Sequence, residues 1–356
     1  MNKIRVDKKY RFVSAFDDKT GMYVRTGIIK NGKDSGIDPF MASFPHLVDV
    51  GIMGHCEHGK TGLCNKAGIG CYQSGAHIRQ PNMTLADFSQ IVSQCAGNVD
   101  QFALGGRGDP DMHENFEEIL ALCRNNGIVP NFTTSGFGLT KKAAGLCGQY
   151  CGAVAVSWYR SDYTHSAIQM LLEAGVKTNI HYVLAGSTIN EAIERLESSA
   201  FPRGINAVLF LLHKPIGQGS QEDVLAYDDE RVSRFFAMMD KGGLPFKFGI
   251  DSCTTPGVIN YCKNVSIESI DTCEGGRFSC YISPDMKMLP CSFDQSSRFE
   301  VSLRDHAIQE AWDSKAFADF RETLKTACAD CNDQADCKGG CPLLPEIVLC
   351  KRAVRC

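Results

Sequence analysis

Eighteen cysteines, spread unevenly over 356 residues, constrain this chain more than any other feature. Three lie close together at Cys56, Cys64 and Cys71, and eleven crowd the stretch from Cys253 to Cys356. Cys95, Cys123, Cys147 and Cys151 are scattered between these groups. Disulfides are one use for such a set, but small disulfide scaffolds rarely reach this length. The start, Met-Asn-Lys-Ile-Arg-Val-Asp, does not read as a secretory signal, since it has no apolar core. Short-spaced cysteines in an intracellular chain point instead to metal. Two metal-rich regions flanking a long ordinary stretch are expected, in a cytoplasmic protein.

The rest of the composition excludes some classes of partner. A net charge of -4 argues against a surface that coats nucleic acid. No run of eighteen apolar residues occurs, so no membrane span is expected. The length suits one large catalytic domain with a smaller one appended.

Residues 1–45 read as an N-terminal segment. Tyr10–Val13 and Met22–Arg25 flank the turn-rich Asp17–Gly21, which predicts a β-hairpin. Strands and helices then alternate over 46–250. His46–Ile52 reads as a first strand. Thr84 caps a helix in which Leu85, Phe88, Ile91, Val92 and Cys95 recur at helical spacing. Strands at Val99–Leu104, Ile128–Thr133, Ala153–Ser157, Thr178–Val183 and Ala207–Leu212 follow, each succeeded by a helical pattern. Six such units imply an α/β fold with a parallel sheet, open or closed into a partial barrel. Chemistry in these folds sits at the carboxyl ends of the strands. Residues 251–356 form the cysteine-rich remainder.

The loop after the first strand carries Cys56, Cys64 and Cys71 among many glycines. Thiolates bind iron–sulfur clusters, and three rather than four leave one iron open. Glycines let the backbone wrap closely around such a group. Three unrelated cysteines, or a zinc site using His55 or His58, are the alternatives. The second strand runs into Gly105-Gly106-Arg107-Gly108-Asp109-Pro110, the third into Thr133-Thr134-Ser135-Gly136, and the fourth into Ser157 with Arg160 close behind. Near the end stands Cys328-x2-Cys331-x5-Cys337-x3-Cys341, a spacing also open to a zinc ribbon. Cys273, Cys280 and Cys291 precede it, and Cys253 and Cys262 have no assigned role. The four scattered cysteines lie on helical patterns and read as buried apolar residues.

Taken in order, these motifs resemble the radical S-adenosylmethionine (SAM) enzymes. Cys64-Asn65 and Cys71-Tyr72 are similar to the first and last cysteines of the signature C-x3-C-x2-C-Y. Gly68 stands where the middle cysteine belongs and Gly70 where an aromatic residue is usual, so Cys56 is expected to supply the third ligand. Gly105, Gly106, Gly108 and Asp109 resemble the motif that receives the methionine ammonium of SAM, which needs an acceptor for each N–H. By the same resemblance Ser135 and Ser157 line the SAM site and Arg160 meets its carboxylate. His213-Lys214-Pro215-Ile216-Gly217 is similar to the family's Pro-x-Gly segment.

The last cysteine block, with Gly339-Gly340-Cys341-Pro342, resembles the SPASM extension, which holds two auxiliary [4Fe–4S] clusters. Leu289-Pro290-Cys291 is similar to its Tyr-Pro-Cys, while Met286 replaces an expected glycine. The resemblance implies Cys273, Cys280, Cys291 and Cys341 on one auxiliary cluster. It implies Cys328, Cys331, Cys337 and either Cys356 or Cys350 on the other, with Cys356 preferred for its longer gap.

The implied architecture is a partial (β/α)6 TIM-like barrel with a C-terminal iron–sulfur extension. The implied chemistry is one-electron cleavage of SAM to a 5′-deoxyadenosyl radical, which removes hydrogen from a peptide or small-protein substrate. Flavodoxin or ferredoxin is the expected electron donor. In sulfatase-maturing relatives an aspartate follows the cysteine of the Pro-Cys step. Here Ser292 follows Cys291, and the nearest acid, Asp294, is the one candidate catalytic residue. That favours a ribosomal-peptide maturase over a formylglycine maturase. A dehydrogenase or mutase of small molecules, and a non-catalytic zinc protein, are the rival readings. Anaerobic iron and sulfide quantitation is expected to give about twelve irons per chain, from three four-iron clusters; zinc alone would point to the last rival.

Overall fold

The computed structural model describes residues 2–59 and 61–351, so Cys356 lies outside the described residues. It begins with an antiparallel sheet of β1 (Asn2–Asp7), β2 (Phe12–Asp17) and β3 (Tyr23–Arg25). The expected hairpin is there as β2 and β3, with Ser14 opposite Arg25 and Phe16 opposite Tyr23. The added strand β1 pairs along the other side of β2. Arg5 fixes this sheet to the main body by a 2.7 Å ion pair with the buried Asp100. A short ribbon of β4 (Ile29–Lys30) and β5 (Lys33–Asp34) follows.

The main sheet is built on β6 (Leu47–Met53). Moving outward in one direction come β7 (Gln101–Gly106), β8 (Val129–Thr134), β9 (Val154–Ser157), β10 (Thr178–Leu184), β11 (Ala207–Leu212) and β12 (Lys247–Ile250), all parallel. The sequence reading stops at six strands, because β12 is only four residues long and follows a loop rather than a clear apolar run. On the other side of β6 lies β13 (Ser279–Ile282), also parallel, then β14 (Lys287–Leu289) and β15 (Val301–Ser302), each antiparallel to the strand before it. The cysteine-rich stretch thus extends the same ten-stranded sheet.

Crossover helices cover the sheet. α1 (Leu63–Lys66) is a single turn within the first loop. α2 (Leu85–Cys95) starts at Thr84, whose hydroxyl accepts the Asp87 N–H at 3.1 Å, and buries Phe88, Ile91, Val92 and Cys95. α3 (Phe116–Asn125) buries Phe116, Ile119, Leu120 and Cys123 in the same way. α4 (Lys141–Tyr150), α5 (Asp162–Glu173), α6 (Ile189–Ser198) and α7 (Glu230–Lys241) repeat the pattern. Four more helices, α8 (Thr255–Tyr261), α9 (Ile308–Trp312), α10 (Lys315–Thr326) and α11 (Gln334–Cys337), complete the chain. Among the described residues, no helix is long and apolar enough to cross a membrane. Cys95, Cys123 and Cys147 are buried core residues, as their helical spacing predicts.

Met286, at the position where the resemblance calls for glycine, adopts the glycine conformation, with φ 66°. Its own N–H and carbonyl are tied to Ser283 and Leu303, and its side chain is fully buried. Burial and two backbone bonds offset a left-handed strain of about 1–2 kcal/mol.

Phe102 on β7 packs edge-on against Phe88 of α2 at 6.0 Å, with 0% of its surface exposed. Phe102→Ala is expected to cost about 3–5 kcal/mol, read from the urea midpoint; an unchanged midpoint would deny this packing a central place in the core.

Candidate functional site

The strand ends come together under the first loop. Gly106, with φ 108°, could carry no side chain, because a Cβ would sit 2.3 Å from the Met53 carbonyl. At Gly108 the same atom would sit 2.6 Å from the His55 carbonyl. The Arg107 N–H donates to Met53 at 2.7 Å. The end of β7 therefore runs in backbone contact with the residues leading into Cys56. The loop after β11 closes the other side: the Gln218 N–H donates to the Cys71 carbonyl at 2.9 Å, and Gly70 lies against Gln218.

Within that frame the three cysteines of the loop converge. A Cβ added at Gly75 would lie 3.6 Å from Cys71 Sγ and 3.7 Å from Cys56 Sγ, so both thiols line the wall this glycine keeps clear. Cys64 sits on α1, after the left-handed Gly62, and its sulfur meets the Tyr159 hydroxyl at 3.3 Å. Burial first, then the neighbouring Cys71 and Cys56 thiols, pushes the Cys64 thiol up to about 11, despite its bond to Tyr159. Three thiols sharing one cleft repel as anions, and bound metal reverses that cost by deprotonating its ligands. Three soft sulfurs beside a glycine wall suit an iron–sulfur cluster. Among the described residues, no trio of His, Cys, Asp or Glu is closed around a single ion.

His58, a candidate zinc ligand in the sequence, turns to Asp109 at 3.1 Å, its Nε2 meeting the carboxylate. Asp109 also accepts the Ser135 N–H at 2.8 Å and its hydroxyl. The expected acceptor of the SAM ammonium is thus engaged by three protein donors and ties the loop to the end of β8. Asp111 beside it keeps a buried, unpartnered Oδ1; burial, then Asp109, raises its carboxyl to about 6. Arg160, expected to meet the SAM carboxylate, pairs instead with Glu191 and donates to the Ala67 carbonyl at 3.0 Å. Ser157 stands at the end of β9, and a Cβ added at Gly105 would lie 3.7 Å from Asp49 Oδ1 of β6.

Asp49 escapes a sequence reading because one acid in an apolar strand has no motif. It lies beside Tyr72 and Tyr281, and among the described residues no hydrogen bond or ion pair to its carboxyl is seen. Burial alone pushes the carboxyl up to about 7.

The C-terminal cysteines divide differently from the expectation. Cys253 lies beside Cys341, Cys273 and Cys291. Cys280 does not join them. Its strand pairs with β6, and its buried side chain faces Cys95 in the core. The correction has a simple cause: β13 is a sheet strand, and residue 280 falls on its core-facing side. Lys214, over the Phe293 ring at 4.8 Å, faces Cys253 and Cys291. Burial disfavours its charge, but Asp251 holds its pKa above the ordinary lysine value. Cys331, Cys337 and Cys350 line one cavity of about 190 Å³ together with Gly339 and Cys328, which is disulfide-bonded. Cys262 is apart, its thiol donating to the Phe236 carbonyl at 3.7 Å. Asp294 accepts from the Ser296 N–H and hydroxyl and the Phe299 N–H, so the candidate catalytic acid shapes its own turn.

Known proteins resemble this chain in fold and in one domain. Residues 273–332 match SPASM, an iron–sulfur cluster-binding domain. SuiB of Streptococcus suis superposes with a TM-score of 0.69 at 14% identity, over 96% of this chain and 94% of that one. SuiB bound to its precursor peptide SuiA gives 0.68 at 13%, over the same shares. anSMEcpe with bound AdoMet and the Cp18Cys peptide gives 0.61 at 16%, over 85% of this chain and 91% of that one. No curated protein matches by sequence. The chain has the mixed α/β, parallel-sheet fold of these proteins and a SPASM domain. It resembles the radical SAM enzymes that carry that extension.

A raised carboxyl makes a pH prediction. The folded state holds the Asp49 proton more tightly than the unfolded chain, so the contribution of Asp49 to stability falls as pH rises from about 4 to about 7, by on the order of a few kcal/mol. The stability of the wild type relative to Asp49→Asn should therefore fall across that range, read from unfolding midpoints; parallel curves would contradict the raised carboxyl.

Proposed function

We propose that this chain is a radical SAM maturase, which abstracts hydrogen from a side-chain or backbone carbon of a peptide or small protein and leaves a crosslink or an oxidised residue. The observation that carries the reading is the convergence of Cys56, Cys64 and Cys71 under the glycine ends of β7 and the β11 loop. A fold shared with SuiB, itself seen with a precursor peptide, supports a peptide substrate. Cys56, against Gly75 with Cys71, takes the place of the missing middle cysteine.

Held by these three thiols, a [4Fe–4S] cluster with SAM would supply one-electron chemistry and a 5′-deoxyadenosyl radical. The chain's own work is orientation and exclusion of water. Gly106 and Gly108 give a bound ligand access to bare backbone. Asp109, held by His58 and Ser135, fixes the loop that presents Cys56. One auxiliary site is Cys253, Cys273, Cys291 and Cys341; the other is Cys331, Cys337, either Cys350 or Cys356, and Cys328 once its disulfide is reduced. Residues 1–45 serve as an N-terminal segment, 46–250 as the catalytic core and 251–356 as the auxiliary domain. A flavodoxin or ferredoxin supplies electrons.

Cys64→Ala is expected to abolish 5′-deoxyadenosine formation from SAM under reducing conditions, and full cleavage by that variant would refute the site. Cys253→Ala is expected to lower or destabilise the iron content by up to about four atoms, one cluster. Cys280→Ala should leave it unchanged. The reverse pattern would restore the ligand set expected from sequence.

A further inference from the structure

The turn after β9 touches the cysteine loop at two points. The Tyr159 hydroxyl meets Cys64 Sγ at 3.3 Å, and Arg160 Nη1 donates to the carbonyl of Ala67, three residues further along the same loop. The turn is held rigidly. The Trp158 N–H donates to His181 at 2.9 Å, and the Tyr159 N–H turns back on Ser157 at 2.9 Å. Arg160 takes a left-handed φ of 59°, unusual for a residue with a side chain. Glu191 compensates for that strain by gathering Arg160, Arg195 and the Trp158 indole N–H. A strained backbone with several contacts holding it is built to aim a side chain, and the side chain it aims is Tyr159.

We propose that Tyr159 is a positioning residue that tunes the reduction potential of the cluster on Cys56, Cys64 and Cys71 by donating a hydrogen bond to Cys64 Sγ. The inference rests on the ligand assignment above. A metal-bound thiol has lost its proton, while a phenol keeps its own near neutral pH. The bond therefore has one possible donor, the tyrosine. Hydrogen bonds to cluster sulfurs draw negative charge away and favour the reduced state, which is one route by which proteins set these potentials. Reduction adds one electron to the cluster from an external low-potential one-electron donor. Tyr159 neither gains nor loses an electron or a proton.

The test is a potentiometric titration, followed by electron paramagnetic resonance, of the full chain reconstituted anaerobically. Tyr159→Phe should keep the wild-type iron content and shift the midpoint of the SAM cluster to a more negative value. The auxiliary midpoints should not move. 3-Fluorotyrosine installed at position 159, a stronger donor in the same space, should shift the midpoint the opposite way and covers the case in which phenylalanine loses the cluster. Unmoved midpoints in intact protein would overturn the proposal. If Cys64→Ala keeps the wild-type signal of that cluster, the ligand assignment fails instead.

Discussion

The backbone contact between the end of β7 and the residues entering Cys56 is the constraint on which the site depends. Parallel strands β6 and β7 stay in register through Gly51 and Gly105, then slip by one residue at Met53 and Gly106. Past that slip the chain needs two glycines with positive φ, Gly106 and Gly108, to lie flat against the Met53 and His55 carbonyls. Any side chain there would push the second strand end off the loop. With it in place, His58 reaches Asp109, Asp109 reaches Ser135, and three consecutive strand ends are linked. The thiols of Cys56 and Cys71 are presented on the surface this linkage makes.

A second polar system runs beside it. Lys214 and Asp251 follow the last two strands of the parallel series, and the lysine faces the thiols of Cys253 and Cys291. The ring of Tyr72, next to Cys71, lies 4.9 Å from that of Phe293, two residues after Cys291. Gln295 donates to the Tyr72 carbonyl at 2.7 Å. The first loop and the C-terminal cysteine region are therefore packed directly against each other. The parallel pairing of β13 with β6 makes this possible, since it builds the C-terminal region into the edge of the sheet that carries the loop.

Much of this was legible in the sequence, because periodicity reports burial. The helix faces of α2 and α3 and the first six parallel strands follow from alternating and helical apolar patterns. The glycine-rich strand ends were legible too, since few residues besides glycine tolerate such close backbone approach. What stayed hidden depends on tertiary direction. Spacing cannot tell that Cys280 turns into the core toward Cys95 while Cys253, twenty residues before Cys273, turns toward Cys341. Asp294 and Arg160 looked available for chemistry, yet each satisfies nearby protein groups. Met286 shows the opposite case: the conformation expected of glycine is kept and the residue changes.

The central claim is that three thiolates hold a cluster with one iron open to SAM. The most direct measurement is the electron paramagnetic resonance spectrum of the reduced protein before and after SAM is added. The account predicts that SAM alters the signal of one cluster and leaves the auxiliary signals as they were. A spectrum indifferent to SAM, from protein shown to hold all its iron, would contradict it.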